Sequence, residues 1–290
     1  MSIAARAVKR TAWTAGVLAL LAPLAASAAT PLDLYYERTL MSAAQARCGL
    51  FTPQIAAALD ASAAQAKGAA LRGGADMATV RATGWRASSK IDQVGCASSD
   101  LRVAAQRVRT AFEGWSQIAK MTFPGEAADW KADRTAYRSA RWKLVQTARA
   151  GGDVVDFGVA GRGENGVLLV VADFAGTGRP YAARLVFRDT ARAPEAWVGA
   201  PSNRPLPPRS ASRAVLAQDR AGAEATLSPT GRADALAFRF PNETAEALAN
   251  LDPRERFAIE FLYPGDTVRT VRFEVGDFAA GRAFLRLGSR

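Results

Sequence analysis

From Thr30 to about Lys143 apolar residues recur every three or four positions, the helical period. Leu34, Leu40, Met41 and Ala44 set the first run, which reaches Cys48. Pro53 suits a first turn and opens a second helix to about Lys67, with Ile55 and Leu59 on its inner face. Alanine fills this stretch (Ala56 to Ala58, Ala61, Ala63, Ala64), which favours helix but offers little area to bury. Gly73-Gly74 ends it, and a third helix is expected from Met77 to about Lys90. The clearest helix starts at Ser99-Asp100, which supply N-cap chemistry, and runs to about Ala119. Leu101, Ala105, Val108, Phe112 and Trp115 share one of its faces. Phe123-Pro124-Gly125 reads as a turn, and a last helix is expected after Asp129.

From Trp142 the period changes to two. Trp142 to Thr147, Val154 to Val159, Val167 to Asp173 and Ala183 to Arg188 read as strands. Residues 194–209 hold five of the fourteen prolines and read as a long exposed loop. Leu236 to Phe240, Phe257 to Leu262 and Val268 to Val275 are further strands, with a short helix over Thr244 to Leu251 and a final one from the N-cap Asp277. The pattern predicts an α+β chain. A helical N-terminal domain over 29–141 precedes a β-rich antiparallel C-terminal domain with two helices over 142–290.

The first 28 residues are set apart. Arg6, Lys9 and Arg10 precede an apolar run from about Ala12 to Leu24, closed by Ala26-Ser27-Ala28. This is the three-part pattern of a secretory signal peptide. The run is shorter than the ~20 residues of a membrane span, and Pro23 interrupts it. Cleavage would leave a periplasmic or secreted protein without a transmembrane span. In an oxidising compartment Cys48 and Cys96, the only cysteines, read as one disulfide.

Charge sharpens the division. The formal net charge is +11. Residues 29–150 hold 17 basic and 10 acidic residues, while residues 151–290 hold 18 and 17. The positive excess of the mature chain therefore sits in its helical part. Nucleic acid is not expected as a partner of an exported protein; an envelope protein or an anionic surface component is.

The chain has no histidine. That removes Ser-His-Asp triads, Cys-His pairs and His-ligated metals. No lysine follows a serine by three positions, so the Ser-x-x-Lys nucleophile is missing as well. Gly161-Arg162-Gly163-Glu164-Asn165-Gly166 matches the dinucleotide fingerprint, but a strand pattern follows it instead of a helix, so a hairpin loop is expected. No metal or cofactor is expected.

Two clusters remain. Glu126, Asp129 and Asp133 lie close in sequence beside Trp130, and paired acids there would suit a glycan-cleaving hydrolase. The structural alternative is that Asp129 caps the expected helix with Glu126 near its positive end. Lys131, Arg134, Arg138 and Arg141 fall at i, i+3, i+7 and i+10, one stripe of that helix, edged by Trp130, Tyr137 and Trp142. Such a face suits an anionic ligand, or else a solvated surface with its rings turned inward.

Over its last fifty residues the chain runs strand, Phe240-Pro241, a helix with Ala247-Leu248 and Leu251, two strands, then Gly276-Asp277-Phe278-Ala279-Ala280. This resembles the C-terminal part of the invasion-associated locus B family of small exported bacterial proteins. The resemblance implies a β-rich fold and an envelope or host-contact role without known catalysis. That family's cysteines have no counterparts after Cys96. The leading expectation is a non-enzymatic envelope protein that binds a partner or an anionic component. The alternative is a carboxylate-dependent hydrolase of envelope glycan.

Overall fold

The computed structural model describes residues 29–200 and 203–290; the expected signal segment lies outside them. Four helices come first: α1 (Pro31–Cys48), α2 (Pro53–Arg72), α3 (Met77–Gln93) and α4 (Ser99–Ser116). Each begins on a side chain that accepts from a backbone N–H three residues on. Thr30, Thr52, Asp76 and Ser98 accept from Asp33, Ile55, Thr79 and Leu101. These contacts satisfy donors that the helix itself leaves open. Met41 and Ala44 of α1 pack with Phe51, Ile55, Leu59, Ile91, Leu101 and Ala105. The Cys48–Cys96 disulfide, with Cα atoms 5.6 Å apart, ties the end of α1 to the turn between α3 and α4.

The helix expected after Asp129 is not there. β1 (Lys120–Phe123) and β2 (Trp130–Asp133) form an antiparallel pair, and β2 continues onto β3 (Arg141–Ala150). Strand structure thus begins at Lys120, earlier than Trp142. Trp130 and Ala132 point inward while Lys131 is exposed, a period of two that overrides the three-to-four spacing of the basic residues. The backbone beyond is held from outside. The Arg134 N–H donates to Ala119, the Ala136 N–H to Arg290, and the Arg290 N–H back to Arg134.

The remaining strands are β4 (Asp153–Gly161), β5 (Val167–Asp173), β6 (Ala182–Arg188), β7 (Ser212–Leu216), β8 (Asp219–Gly222), β9 (Leu236–Phe240), β10 (Arg256–Leu262) and β11 (Val268–Glu274). Helix α5 (Glu243–Ala249) precedes β10, and α6 (Phe278–Leu285) follows β11. The glycine-rich Gly161–Gly166 segment is the β4–β5 hairpin connection, as its context predicted. All pairings are antiparallel, in a seven-stranded sheet ordered β1-β2-β3-β4-β5-β9-β8 and a four-stranded one ordered β11-β10-β6-β7. The two share one core. Leu144, Phe157, Val170 and Phe238 come from the larger sheet, and Leu185, Phe257, Ile259, Phe261 and Phe273 from the smaller. The Phe157 ring meets Phe257 at 5.1 Å and Phe273 at 5.7 Å between centroids.

Helix α2 joins the two halves. Its Ile55 and Leu59 belong to the helical core, whereas Ala57, Ala58 and Ala61 belong to the core between the sheets. The alanines that offered little area instead allow close approach. A buried ion pair fixes the contact with α6: both terminal nitrogens of Arg72 donate to the Asp277 carboxylate, at 2.8 and 2.9 Å. Asp277 stands at the N-cap position of α6, as the sequence suggests, but its side chain serves Arg72 and caps nothing. Among the described residues no helix is long and apolar enough to cross a membrane.

Candidate anion-binding cleft

A cleft of about 460 Å³ opens between the C-terminal half of α6, the β4–β5 hairpin and the start of α5. Val159, Leu168 and Leu285 give it an apolar floor. Four cations line it, Arg134, Lys143, Arg282 and Arg286, against one acid, Glu164. Asn242 and Ser289 add neutral polar groups.

Each cation is placed by a different device. Lys143 sits in a β-bulge: Trp142 pairs with Ala160 and Leu144 with Val159, so Lys143 is the extra residue. The bulge reverses the alternation. Trp142 packs on the outer face with Ala160 and Val171, donating from its indole to Leu227, whereas Leu144 enters the core between the sheets. The Lys143 ammonium donates to the Gly163 carbonyl, holding it against the hairpin. Arg134 is 6% exposed. It donates to the carbonyls of Gly288 and Ile118 at 2.8 and 3.0 Å, and its guanidinium lies 5.0 Å from the Phe284 ring centre. It has no carboxylate partner among the described residues. Burial and the nearby Arg290 charge push its pKa below the ordinary arginine value, the signature of a desolvated cation. Arg282 donates to the Ala245 carbonyl and to Glu246, so part of its charge is offset. Arg286, at the C-cap of α6 and four residues after Arg282, is exposed and makes no ion pair among the described residues. The cleft therefore offers uncompensated guanidinium groups over a small apolar floor, which suits a phosphate or carboxylate attached to an apolar body.

Of the basic stripe read from the sequence, Arg134 alone lines this cleft. Trp130 is fully buried, with its indole donating to Val275 at 2.9 Å and its ring 4.8 Å from Phe278. Lys131 lies with Asp133 in a separate groove over β1 to β3. Arg138 is exposed, and Arg141 covers the Tyr137 ring at 5.4 Å. With no helix over 131–141, the four cations are not one face.

The acids do not converge either. Glu126 accepts two hydrogen bonds from Arg204, at 2.6 and 2.8 Å, and this holds its carboxyl below the ordinary range. Asp129 accepts from the Gly125 N–H. Asp133 accepts from Thr135 and pairs with Lys120 at 3.3 Å. Asp129 caps a turn, not a helix. Beside them Glu274 is 1% exposed and gathers the backbone N–H groups of Glu126, Ala127 and Ala128.

Sequence reasoning missed Lys143, Arg282 and Arg286. The i, i+4 spacing of Arg282 and Arg286 was visible, but nothing local linked α6 to a residue 140 positions earlier. It also missed Asp156 and Asp173, two buried acids on the outer face of β4 and β5. Asp156 accepts from the Thr147 hydroxyl at 2.6 Å; burial, with Asp173 adding to it, pushes its carboxyl up. Asp173 is bound by Ser228 and Thr230. The visible signal was an acid inside the apolar run Val154-Val155-Asp156-Phe157.

Comparison with family models, with curated proteins and with solved structures found no match for this chain.

Proposed function

We propose that this is an exported envelope protein that binds an anionic envelope component through the cleft under α6. The observation that carries the reading is the lining itself: four cations against one acid, with Arg134 buried and unpaired by any carboxylate among the described residues. A buried guanidinium without a counter-ion favours a ligand that supplies one. The signal-like segment at 1–28, the disulfide and the C-terminal resemblance all fit an oxidising compartment outside the cytoplasm. The hydrolase alternative is weakened by the separate partners of Glu126, Asp129 and Asp133.

Two measurements test this. N-terminal sequencing of the protein recovered from the periplasm is expected to start at Ala29; recovery from the cytoplasm with residues 1–28 attached refutes export. Titration with lipopolysaccharide and with phosphatidylglycerol vesicles is expected to show binding that weakens with salt. Charge reversal of Arg286 together with Lys143 should weaken it about tenfold or more. Binding unchanged by salt or by that double variant excludes this cleft.

A further inference from the structure

A second, independent opening lies between α2 and α4. It has a volume of about 250 Å³ and is lined by Ile55 and Leu59 from one helix and Val108, Phe112 and Trp115 from the other. Ala58 and Ala111, one on each helix, leave the space between the larger side chains unfilled. At its end Trp115 stands edge-on to Phe284, with centroids 5.7 Å apart, so the groove stops against α6.

Its lining has one charged group. Arg38 of α1 is half-buried and donates from one terminal nitrogen to the Ser62 carbonyl at 2.8 Å. Its other edge, Nε and the second terminal nitrogen, makes no hydrogen bond and no ion pair among the described residues. Burial pulls its pKa below the ordinary arginine value, and the neighbouring Glu37 charge, which forms no ion pair with it, offsets this only in part. A free guanidinium edge presents two parallel donors, the geometry that matches a carboxylate. The helical half also carries the chain's positive excess.

From this juxtaposition we infer that the α2–α4 groove binds a single-chain fatty carboxylate, its acyl chain between Ile55, Leu59, Val108 and Phe112 and its carboxylate on the free edge of Arg38. The chain would displace water from an apolar slot, and the head would supply the paired carboxylate that Arg38 lacks among the described residues. No bond is made or broken. The site shares no lining residue with the basic cleft, so either can fail without the other.

The test uses the full mature protein and decanoate, decyl phosphate and decanol, with tryptophan fluorescence as the signal and Trp115→Phe to locate it. Decanoate is expected to bind saturably below its micelle concentration, about tenfold or more tighter than decanol, with decyl phosphate weaker than decanoate. Arg38→Met keeps the apolar stem and should erase the preference for decanoate over decanol. Ala111→Trp, at an exposed position, should block all three ligands while leaving the circular dichroism spectrum unchanged. Equal binding of decanol, stronger binding of decyl phosphate, or decanoate binding that survives Ala111→Trp overturns the proposal, as does no binding at all.

Discussion

At the scale of single residues, the fold depends on a few positions where two groups compete for one space. Gly68 lies inside α2, where alanine would be better by about 1 kcal/mol on helix propensity alone. A β-carbon there would stand 2.0 Å from the Asp277 Oδ1 and 3.0 Å from an Arg72 nitrogen. Asp277 is 2% exposed, so its carboxylate has nowhere to retreat. Gly68→Ala is therefore expected to lower stability by about 2 kcal/mol, because disturbing a buried pair leaves charge uncompensated. Urea denaturation decides it; a more stable variant would show that propensity wins. Asp156 runs the other way. Its carboxyl is raised, so the native state keeps a proton that the unfolded chain has released. Stability then falls as pH climbs from the ordinary carboxylate value through the native one, and the penalty is complete above that. Asp156→Asn keeps an acceptor for Thr147 and should gain about 1 kcal/mol at pH 7 with little change at pH 3. An equal gain at both pH values would assign the effect to something other than charge.

At the scale of elements, legibility followed burial. β5 and β9 were readable to the residue because their inward positions are large and apolar and each is bounded by turn chemistry. β7 and β8 were not, since their residues are largely exposed and edge strands carry no apolar alternation to detect. β1 and β2 were hidden for a different reason. They are four residues each, and Lys131, Arg134, Arg138 and Arg141 happen to fit a helical stripe. The proline-rich stretch, expected to be an exposed loop, is anchored at Arg204, whose side chain is 6% exposed and holds Glu126 on the turn before β2. The acid first considered for catalysis is thus a clamp. Glu126→Gln should cost about 1 kcal/mol at pH 7, because solvent screens the exposed carboxylate. The lowered carboxyl contributes its stability above the unfolded-state value and loses it as pH falls. The gap between wild type and variant should therefore close near pH 3. A gap that persists there would mean the loop is held by shape and not by charge.

At the scale of the whole molecule, the division into a helical and a β-rich part was legible, but the way they join was not. The sequence shows α2 as an alanine-rich helix with a thin apolar stripe. Only the fold reveals that it has two working faces, Ile55 and Leu59 toward α1 and α4, and Ala57, Ala58 and Ala61 toward the sheets. The candidate clefts escaped for the same reason, since each draws on elements far apart in the chain. This arrangement makes the disulfide's reach predictable. The helical core is small, and Cys48–Cys96 closes a span of 48 residues that supplies Phe51, Ile55, Leu59 and Ile91 to it. In the chain-entropy account such a loop contributes about 4 kcal/mol. The aromatic residues of the core between the sheets, Trp130 and eleven phenylalanines, lie outside that loop, and only the small Ala57, Ala58 and Ala61 of α2 enter that core from within it. Reduction should therefore loosen the two halves unequally. Amides of α1, α3 and α4 should exchange early, those of β4, β5 and β10 should keep their protection, and α2 should fall between, since half of its contacts survive. Hydrogen exchange of the oxidised and reduced protein separates the outcomes. If the strands lose protection together with α1, the two cores form a single cooperative unit, and α2 couples them more tightly than its alanine face implies.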